Sequence, residues 1–168
     1  QLFNAAIAQL IEAGEVKRAG TILHLPAHKA KLAAGEQTIW QQILPLLESG
    51  GLRPPVVWQI ASELDLPADE IERVLKRAAA LGFSVQVAKN RFLLPTAVRH
   101  LADIAEELAG ESEDGLFLAA QYRDRSGIGR NLTIELLEYF DRAGFTRRSG
   151  AARRTLCPAS ALFSIGAT

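Results

Sequence analysis

Apolar side chains recur at helical spacing in three separate stretches of the chain, and each stretch leads into the same kind of ending. The helices predicted in this way carry their apolar faces on Phe3–Leu10, Ile71–Ala78 and Leu136–Phe140. A glycine able to take a positive φ follows each helix, and two short strand-like runs around a polar turn come next. The pattern predicts one structural unit, present three times.

Two further helices precede this ending in the second and third copies. When the two copies are aligned at Gly82 and Gly144, no gap is needed back to Leu66 and Ile128. Each of these two residues lies in a short turn before the last helix. The first copy is truncated, because it begins at that last helix. The additional helices are predicted at about Glu36–Ser49 and Val57–Leu64 in one copy, and at about Thr96–Ala109 and Leu116–Tyr122 in the other.

Helix, short helix, turn, helix and two-stranded hairpin is the order of a winged helix. The predicted fold class is therefore α+β, mainly α, with tandem winged-helix domains, each a helix-turn-helix followed by a β-hairpin. Residues 1–31 are interpreted as the C-terminal half of one domain, 32–95 as a complete domain, and 96–168 as another. An α+β repeat without functional meaning is the alternative.

Charge is balanced over the chain, with 19 Lys and Arg against 19 Asp and Glu, but it is unevenly distributed. Residues 96–120 hold one cation and six anions, whereas residues 121–168 hold eight arginines and four anions. A polyanion responds to local charge rather than to the total. We expect the basic end to bind nucleic acid.

Arginine and glycine concentrate at the turn before the last helix and on its wing. A helix N-terminus offers free N–H groups and a positive dipole end to a phosphate, and glycine lets the two approach closely. Four wing arginines face one another in pairs and repel unless an anion lies against them; a solvated surface balanced by Glu138 and Asp141 is the alternative. The candidate binding residues are Arg123, Arg125, Ser126, Gly127, Ile128, Gly129, Arg130, Asn131, Arg147, Arg148, Arg153 and Arg154.

The middle domain lacks this pattern. Its turn is Asp65-Leu66-Pro67, its next helix opens with Asp69 and Glu70, and its wing carries only Lys89 and Arg91. Acidic residues at a helix start stabilise the helix but repel phosphate. We interpret this domain as a spacer or a protein-contact element.

No catalytic residue and no metal site is predicted. His24, His28 and His100 are scattered without Cys or carboxylate partners at ligand spacing, and Cys157 is expected to be structural. Trp40 and Trp58 are expected in the core. One cysteine, no signal peptide and no membrane-spanning run favour a cytoplasmic protein, and the start at Gln1 indicates a fragment.

The run from Tyr122 to Arg148 resembles the last winged-helix module of bacterial selenocysteine-specific elongation factors. Its Ser-Gly-Ile-Gly-Arg turn and its Glu-Tyr-Phe-Asp-Arg-Ala-Gly-Phe-Thr-Arg-Arg stretch carry the resemblance. Earlier residues fit the family more loosely, and those after Pro158 offer little pattern. The resemblance implies four winged helices in the family's C-terminal extension, of which residues 1–31, 32–95 and 96–168 are the rear of the second, the third and the fourth.

The resemblance also implies a function in translation elongation. The last domain is expected to bind RNA, gripping the selenocysteine insertion hairpin of the mRNA and placing the factor at an in-frame UGA codon. Selenocysteyl-tRNA and the ribosome are then partners of the full-length factor, and the chain is expected to be a monomer without a membrane partner. GTP and Mg bind in upstream domains absent from this chain, so no cofactor is expected here and this fragment is not an enzyme.

Without the resemblance, the residues indicate nucleic acid but do not choose RNA. A duplex-DNA reader would insert the helix at 130–143 into a major groove, and the acids Glu135, Glu138 and Asp141 on that helix would repel phosphates. Positive charge at the first helical turn and on the wing suits a clamp on an RNA hairpin with an extruded loop base. A duplex-DNA regulator and a protein-docking winged helix are the alternatives.

Overall fold

The computed structural model describes residues 7, 9–13, 17–19, 22–24, 31–163 and 165. In the first copy, Ile7 and residues 9–12 are helical, and strand β1 (Lys17–Ala19) pairs antiparallel with β2 (Ile22–His24). The hairpin predicted after the first helix is therefore confirmed. Phe3 and His28 lie outside the described residues.

The middle domain has the predicted order of elements. Its three helices are α1 (Ala34–Gly50), α2 (Val57–Leu64) and α3 (Ala68–Ala80), and its wing is formed by β3 (Val85–Ala88) and β4 (Arg91–Leu93). Antiparallel pairing joins the two wing strands, with a register shift between residues 86 and 88.

The last domain repeats this order with one additional strand. Its helices are α4 (Pro95–Glu111), α5 (Ala119–Ser126), α6 (Arg130–Arg142) and a short α7 (Ala159–Leu162). Its strands are β5 (Phe117–Leu118), β6 (Thr146–Ser149) and β7 (Ala152–Thr155), arranged in the order β5-β7-β6. The short helix begins at Ala119 and not at Leu116, because residues 117 and 118 pair with β7 and Phe117 turns into the core.

Both complete domains end their last long helix in the same way. Gly82 and Gly144 adopt positive φ angles of 83° and 75°, as predicted for the glycines after these helices. The next residue then donates its N–H back into the helix, from Phe83 to the Ala78 carbonyl and from Phe145 to the Phe140 carbonyl. This hydrogen bond satisfies a helix-end carbonyl and directs the chain into the wing.

Buried side chains form two clusters, and the second cluster crosses from one domain to the other. The middle domain's cluster includes Trp40, Ile43, Leu75 and Phe92. Val87 and Leu93, although they belong to the middle wing, are buried in the cluster of the last domain. The two domains are therefore joined by continuous apolar packing, and the domain boundary at residues 95 and 96 stays a prediction.

The residues after Pro158 complete the last core, which their sequence did not predict. Phe163 is buried, and its ring lies 5.4 Å from that of Phe140 and 5.3 Å from that of Phe145. Two polar contacts hold the segment against α4: the Ala159 N–H donates to Glu106 at 2.8 Å, and Arg99 donates to the Phe163 carbonyl at 3.5 Å. The C-terminal segment is thus part of the domain.

The expectation that both tryptophans lie in the core is right for one of them. Trp40 is buried, whereas Trp58 is 62% exposed at the start of α2. Trp58 lies beside Val57, which is the residue of that first turn that faces the core. No helix within the described ranges is both long enough and apolar enough to span a bilayer.

Candidate nucleic-acid interface

The turn between α5 and α6 is held open by a glycine and anchored by an isoleucine. Gly127 ends α5 in the left-handed conformation, with φ of 67°, and donates its N–H to the Arg123 carbonyl at 2.9 Å. The Ser126 hydroxyl donates to the Tyr122 carbonyl at 2.6 Å. Ile128 is buried in the core, so its side chain is not offered to a ligand. The turn is therefore held in place by hydrogen bonds to α5 and by the burial of Ile128.

Free N–H groups line the outer side of this turn. Within residues 31–163, no acceptor takes the N–H groups of residues 128–131. Gly129 precedes α6 as its N-cap, and a Cβ built there would meet no atom within 4 Å. Unpaired N–H groups and the positive end of a helix dipole together favour an anion. The geometry fits the phosphate-binding role predicted for this turn.

Arg130 and Asn131 are exposed on the first turn of α6. Among the described residues, no carboxylate pairs with Arg130. Together with Gly129 they line one side of a cleft of about 740 Å³, whose other side belongs to the middle domain and includes Arg53 and Arg91. The open end of α6 thus faces a cleft between the two domains that contains three arginines.

Arg123 and Arg125 are exposed but are paired with acids. Arg123 contacts Asp124 at 2.7 Å, and Arg125 donates two hydrogen bonds to Glu111 at 2.8 and 2.9 Å. The hydrogen bond from Arg125 lowers the pKa of the Glu111 carboxyl below its usual value. Exposed ion pairs contribute little and exchange easily. Both arginines remain available to a phosphate in place of their present partners.

The four wing arginines are not equivalent. Arg147 lies opposite Arg154, and Arg148 lies opposite Arg153, so each pair shares a face of the hairpin. Arg147, Arg148 and Arg154 are exposed, and Arg148 donates to the Gly150 carbonyl at 3.0 Å.

Arg153 is buried, and its Nε donates to Asp141 at 3.0 Å. The expectation that all four guanidinium groups need an external anion is wrong for Arg153. Asp141 of α6 already neutralises it, because the face of β7 that carries Arg153 turns toward this helix.

The acids on α6 are also arranged differently from the expectation. Glu135 pairs with Arg91 of the middle wing at 2.8 Å, and Asp141 accepts from Arg153 and from Thr146. Of the three acids on α6, Glu138 alone is exposed and has no cation as a partner among the described residues. Charge repulsion from three acids therefore does not explain why α6 would avoid duplex DNA.

The middle domain contacts one edge of α6 instead. Strand β3 packs against this helix, and Arg142 donates to the Val87 carbonyl at 3.0 Å. Arg91 and Glu135 tie the middle wing to α6. One edge of α6 therefore contacts the middle domain through Glu135 and Arg142, while its first turn stays open and Ile134 and Glu138 beyond that turn remain exposed. Sequence reasoning missed this contact, because no local pattern connects β3 with α6.

Two titratable side chains outside the turn and the wing, Tyr122 and Cys157, pack in or against the core of the last domain. Burial raises the pKa of Tyr122, whose hydroxyl donates to the Leu101 carbonyl at 2.8 Å. Cys157 is half-buried and packs against the last core. Among the described residues, no three His, Cys, Asp or Glu side chains are grouped so that they could hold a metal ion.

Comparisons with known proteins converge on one family. The family model described as "Elongation factor SelB, winged helix" matches residues 111–155. The selenocysteine-specific elongation factor of Escherichia coli K12 is 37% identical over 144 residues, which cover 86% of this chain and 23% of that protein. The factor of Haemophilus influenzae is 29% identical over 149 residues, covering 89% and 24%. The chain thus spans about a quarter of these relatives.

Solved structures agree with the sequence relatives. The chain is similar to the mRNA-binding domain of elongation factor SelB from E. coli, whose structure was solved in complex with SECIS RNA. The TM-score is 0.68 at 35% identity, with 74% of this chain and 98% of that chain covered. A bacterial selenocysteine-specific elongation factor, EF-Sec, has a TM-score of 0.58 at 21% identity and covers 90% of this chain and 23% of that chain, which supports the fold alone.

Proposed function

Because this chain belongs to the SelB elongation-factor family, as part of its winged-helix region, we propose that it binds the mRNA hairpin that directs selenocysteine insertion. SECIS RNA is the ligand in the complex of the E. coli domain, to which this chain is 35% identical. In the full-length factor, this binding would place a charged selenocysteyl-tRNA at an in-frame UGA codon on the ribosome. GTP and Mg would bind in upstream domains, and the factor would act in the cytoplasm as a monomer.

The observation that carries the proposal is the open turn before α6. Its N–H groups at residues 128–131 have no acceptor in the described part of the chain, and Arg130 and Asn131 stand beside them. Backbone phosphates fit the N–H groups, while the amide of Asn131 and the guanidinium of Arg130 fit base edges. The expected contacts include the turn, Arg123, Arg125 and the exposed wing arginines, with Arg153 only supporting the wing.

The middle-domain contact along one edge of α6 favours an RNA loop over a DNA duplex. A duplex-DNA reader needs its recognition helix free to lie in the major groove. Here β3 and the Arg91–Glu135 ion pair occupy one side of that helix. A-form RNA admits no helix into its narrow major groove, so a winged helix must read RNA at a loop or bulge, where the open first turn suffices.

A salt titration of RNA binding tests the proposal. With roughly three to five phosphates neutralised, log K should fall against log salt with a slope of about −3 to −4. Replacing Arg130, Arg147 or Arg148 with alanine should each reduce that slope by about one. Arg73→Ala is the matched control, since Arg73 lies on α3 and, within the described ranges, its side chain forms an ion pair with Glu70 alone. A slope near zero would instead favour a protein-docking module.

A further inference from the structure

Arg53 of the middle domain reaches the turn of the proposed RNA site. It lies in the loop between α1 and α2, and its Nη2 donates a hydrogen bond to the Gly127 carbonyl. A Cβ built on Gly127 would lie 3.8 Å from the same nitrogen, which places the guanidinium directly against the turn. Among the described residues, no carboxylate pairs with Arg53. In the part of the chain that the structure describes, the Arg53 side chain therefore forms its hydrogen bond with the last domain.

The loop that carries Arg53 is stiff. The Arg53 N–H donates to the Gly50 carbonyl at 2.9 Å, and Pro54 and Pro55 follow directly. Proline fixes φ near −65°, so the backbone after Arg53 has little freedom. Pro54 is buried as well. A rigid loop gives the guanidinium a defined position against the neighbouring domain.

Holding the Gly127 carbonyl also sets the direction of the next N–H. A trans peptide is planar, so its C=O and N–H groups point in opposite directions. With the Gly127 oxygen turned to Arg53, the Ile128 N–H points away from Arg53. Ile128 supplies the first of the N–H groups that have no acceptor in residues 31–163. Gly127 has a left-handed conformation and no side chain of its own to fix this peptide plane.

We propose that Arg53 is a positioning residue for RNA binding: the middle domain uses it to fix the 127–128 peptide, so that the N–H groups of the turn are ready for a phosphate. The inference rests on the proposed function. It assigns the middle domain a part in forming the RNA site, beyond that of a spacer. Arg53 acts through the turn and does not itself neutralise a phosphate.

The experiment uses the full 168-residue chain and an RNA hairpin with one unpaired loop base. The variants are Arg53→Ala and Arg53→Lys, with Arg73→Ala as the control. Affinity is measured at several salt concentrations, and amide chemical shifts of residues 127–129 are recorded without RNA. Arg53→Ala should weaken binding on the order of tenfold, the effect of one charge-assisted hydrogen bond, and leave the salt slope unchanged. Arg53→Lys, which keeps an N–H donor, should recover part of the loss.

In the free protein, Arg53→Ala should shift the Ile128 and Gly129 amide signals, and Arg73→Ala should leave them in place. Unchanged affinity in Arg53→Ala would overturn the proposal. A slope reduced by about one would also overturn it, because Arg53 would then be a direct phosphate contact. If Arg53→Ala does not fold, Arg53→Met, which keeps the apolar length of the side chain but has no N–H donor, decides by the same two criteria. Failure of the proposed function would give a different result: the unsubstituted chain would show no preference for the hairpin. The amide shifts would still show whether Arg53 fixes the 127–128 peptide.

Discussion

The middle and last domains share one scaffold and use it in opposite ways. In each, a short helix ends in a left-handed residue, Asp65 in one and Gly127 in the other, and the next helix begins three residues later. The middle turn leads into Asp69 and Glu70, whereas the last turn leads into Arg130 and Asn131. The same backbone thus presents negative charge in one domain and positive charge in the other.

The two wings differ as strongly as the two turns. The middle wing buries Val87 and Leu93 in the core of the last domain. The last wing exposes Arg147 and Arg154 on one face, and Arg153 is the one of its four arginines that is buried, on the opposite face against Asp141. One wing therefore joins two domains, and the other is free to meet a ligand. The role of a wing therefore depends on which residue types alternate along its strands.

The largest expected effect separates the two wings by stability. Leu93→Ala should lower the free energy of unfolding by about 2–5 kcal/mol, because it removes a fully buried side chain shared between domains. Leu156→Ala, at an exposed leucine that follows the last wing, should cost far less. Denaturant unfolding measures both. Equal losses would show that the middle wing is not the joint between the domains.

The second effect separates the two turns by charge. Gly129→Asp should weaken binding of an RNA hairpin on the order of 100-fold, because like charges brought together cost several kcal/mol. Gly129→Asn has nearly the same shape and no charge, so it should lose much less, and Gly129→Ala should also bind better than Gly129→Asp. There is space for a side chain at this position, and Asp and Asn are good N-caps. Thermal unfolding should therefore show no loss of stability in Gly129→Asp or Gly129→Asn and a small loss in Gly129→Ala, because alanine is a poor N-cap.

The third effect divides the wing arginines. Arg147→Ala or Arg154→Ala should weaken RNA binding by roughly tenfold or less and leave stability unchanged, since both side chains are exposed. Arg153→Ala should instead reduce stability by about 1–3 kcal/mol, because Asp141 loses its buried partner. Parallel binding and unfolding measurements distinguish these outcomes. If Arg147→Ala lost as much stability as Arg153→Ala, the assignment of Arg147 to an exposed face and of Arg153 to a buried face of the wing would be wrong.

The smallest effect concerns the ion pair beside the turn. Glu111→Gln leaves Arg125 with only its longer contact to Glu107 at 4.0 Å among the described acids, so RNA affinity should rise slightly, by less than about tenfold, with little change in stability. The pKa of Glu111 is below its usual value, so the pair is already formed near neutral pH and does not weaken until the pH falls well into the acidic range. Affinity measured between pH 6 and 8 should therefore not change through this pair.

The sequence predicted the features of the fold that depend on local pattern. Periodic apolar positions and the glycines at 82 and 144 predicted the helices and hairpins of both complete domains. Strand β5 was missed, because two residues carry no periodicity and their pairing with β7 is non-local. The burial of Arg153 could have been predicted, since one of two neighbouring strand arginines must face inward and Asp141 was already noted nearby.

Contacts between the domains could not be predicted from local patterns. Arg53 lies 74 residues from Gly127 in sequence. Arg91 and Glu135 are likewise far apart, and either could have been a solvated surface residue. Their pairing follows from how β3 packs on α6, which depends on the assembled cores. The candidate site at residues 126–131 was predicted because turn glycines, a helix start and arginine coincide within one short segment.

The central claim is that an open helix start, flanked by arginines, reads an RNA loop. Its most direct test is a competition experiment with three competitors of matched length: a short RNA hairpin with one unpaired loop base, the DNA form of that hairpin, and a fully paired RNA of the same stem. We expect the RNA hairpin to compete best, and deletion of its unpaired base to reduce the free energy of binding by about 1–3 kcal/mol. Equal competition by the paired RNA would contradict the account, because the protein would then bind charge without shape.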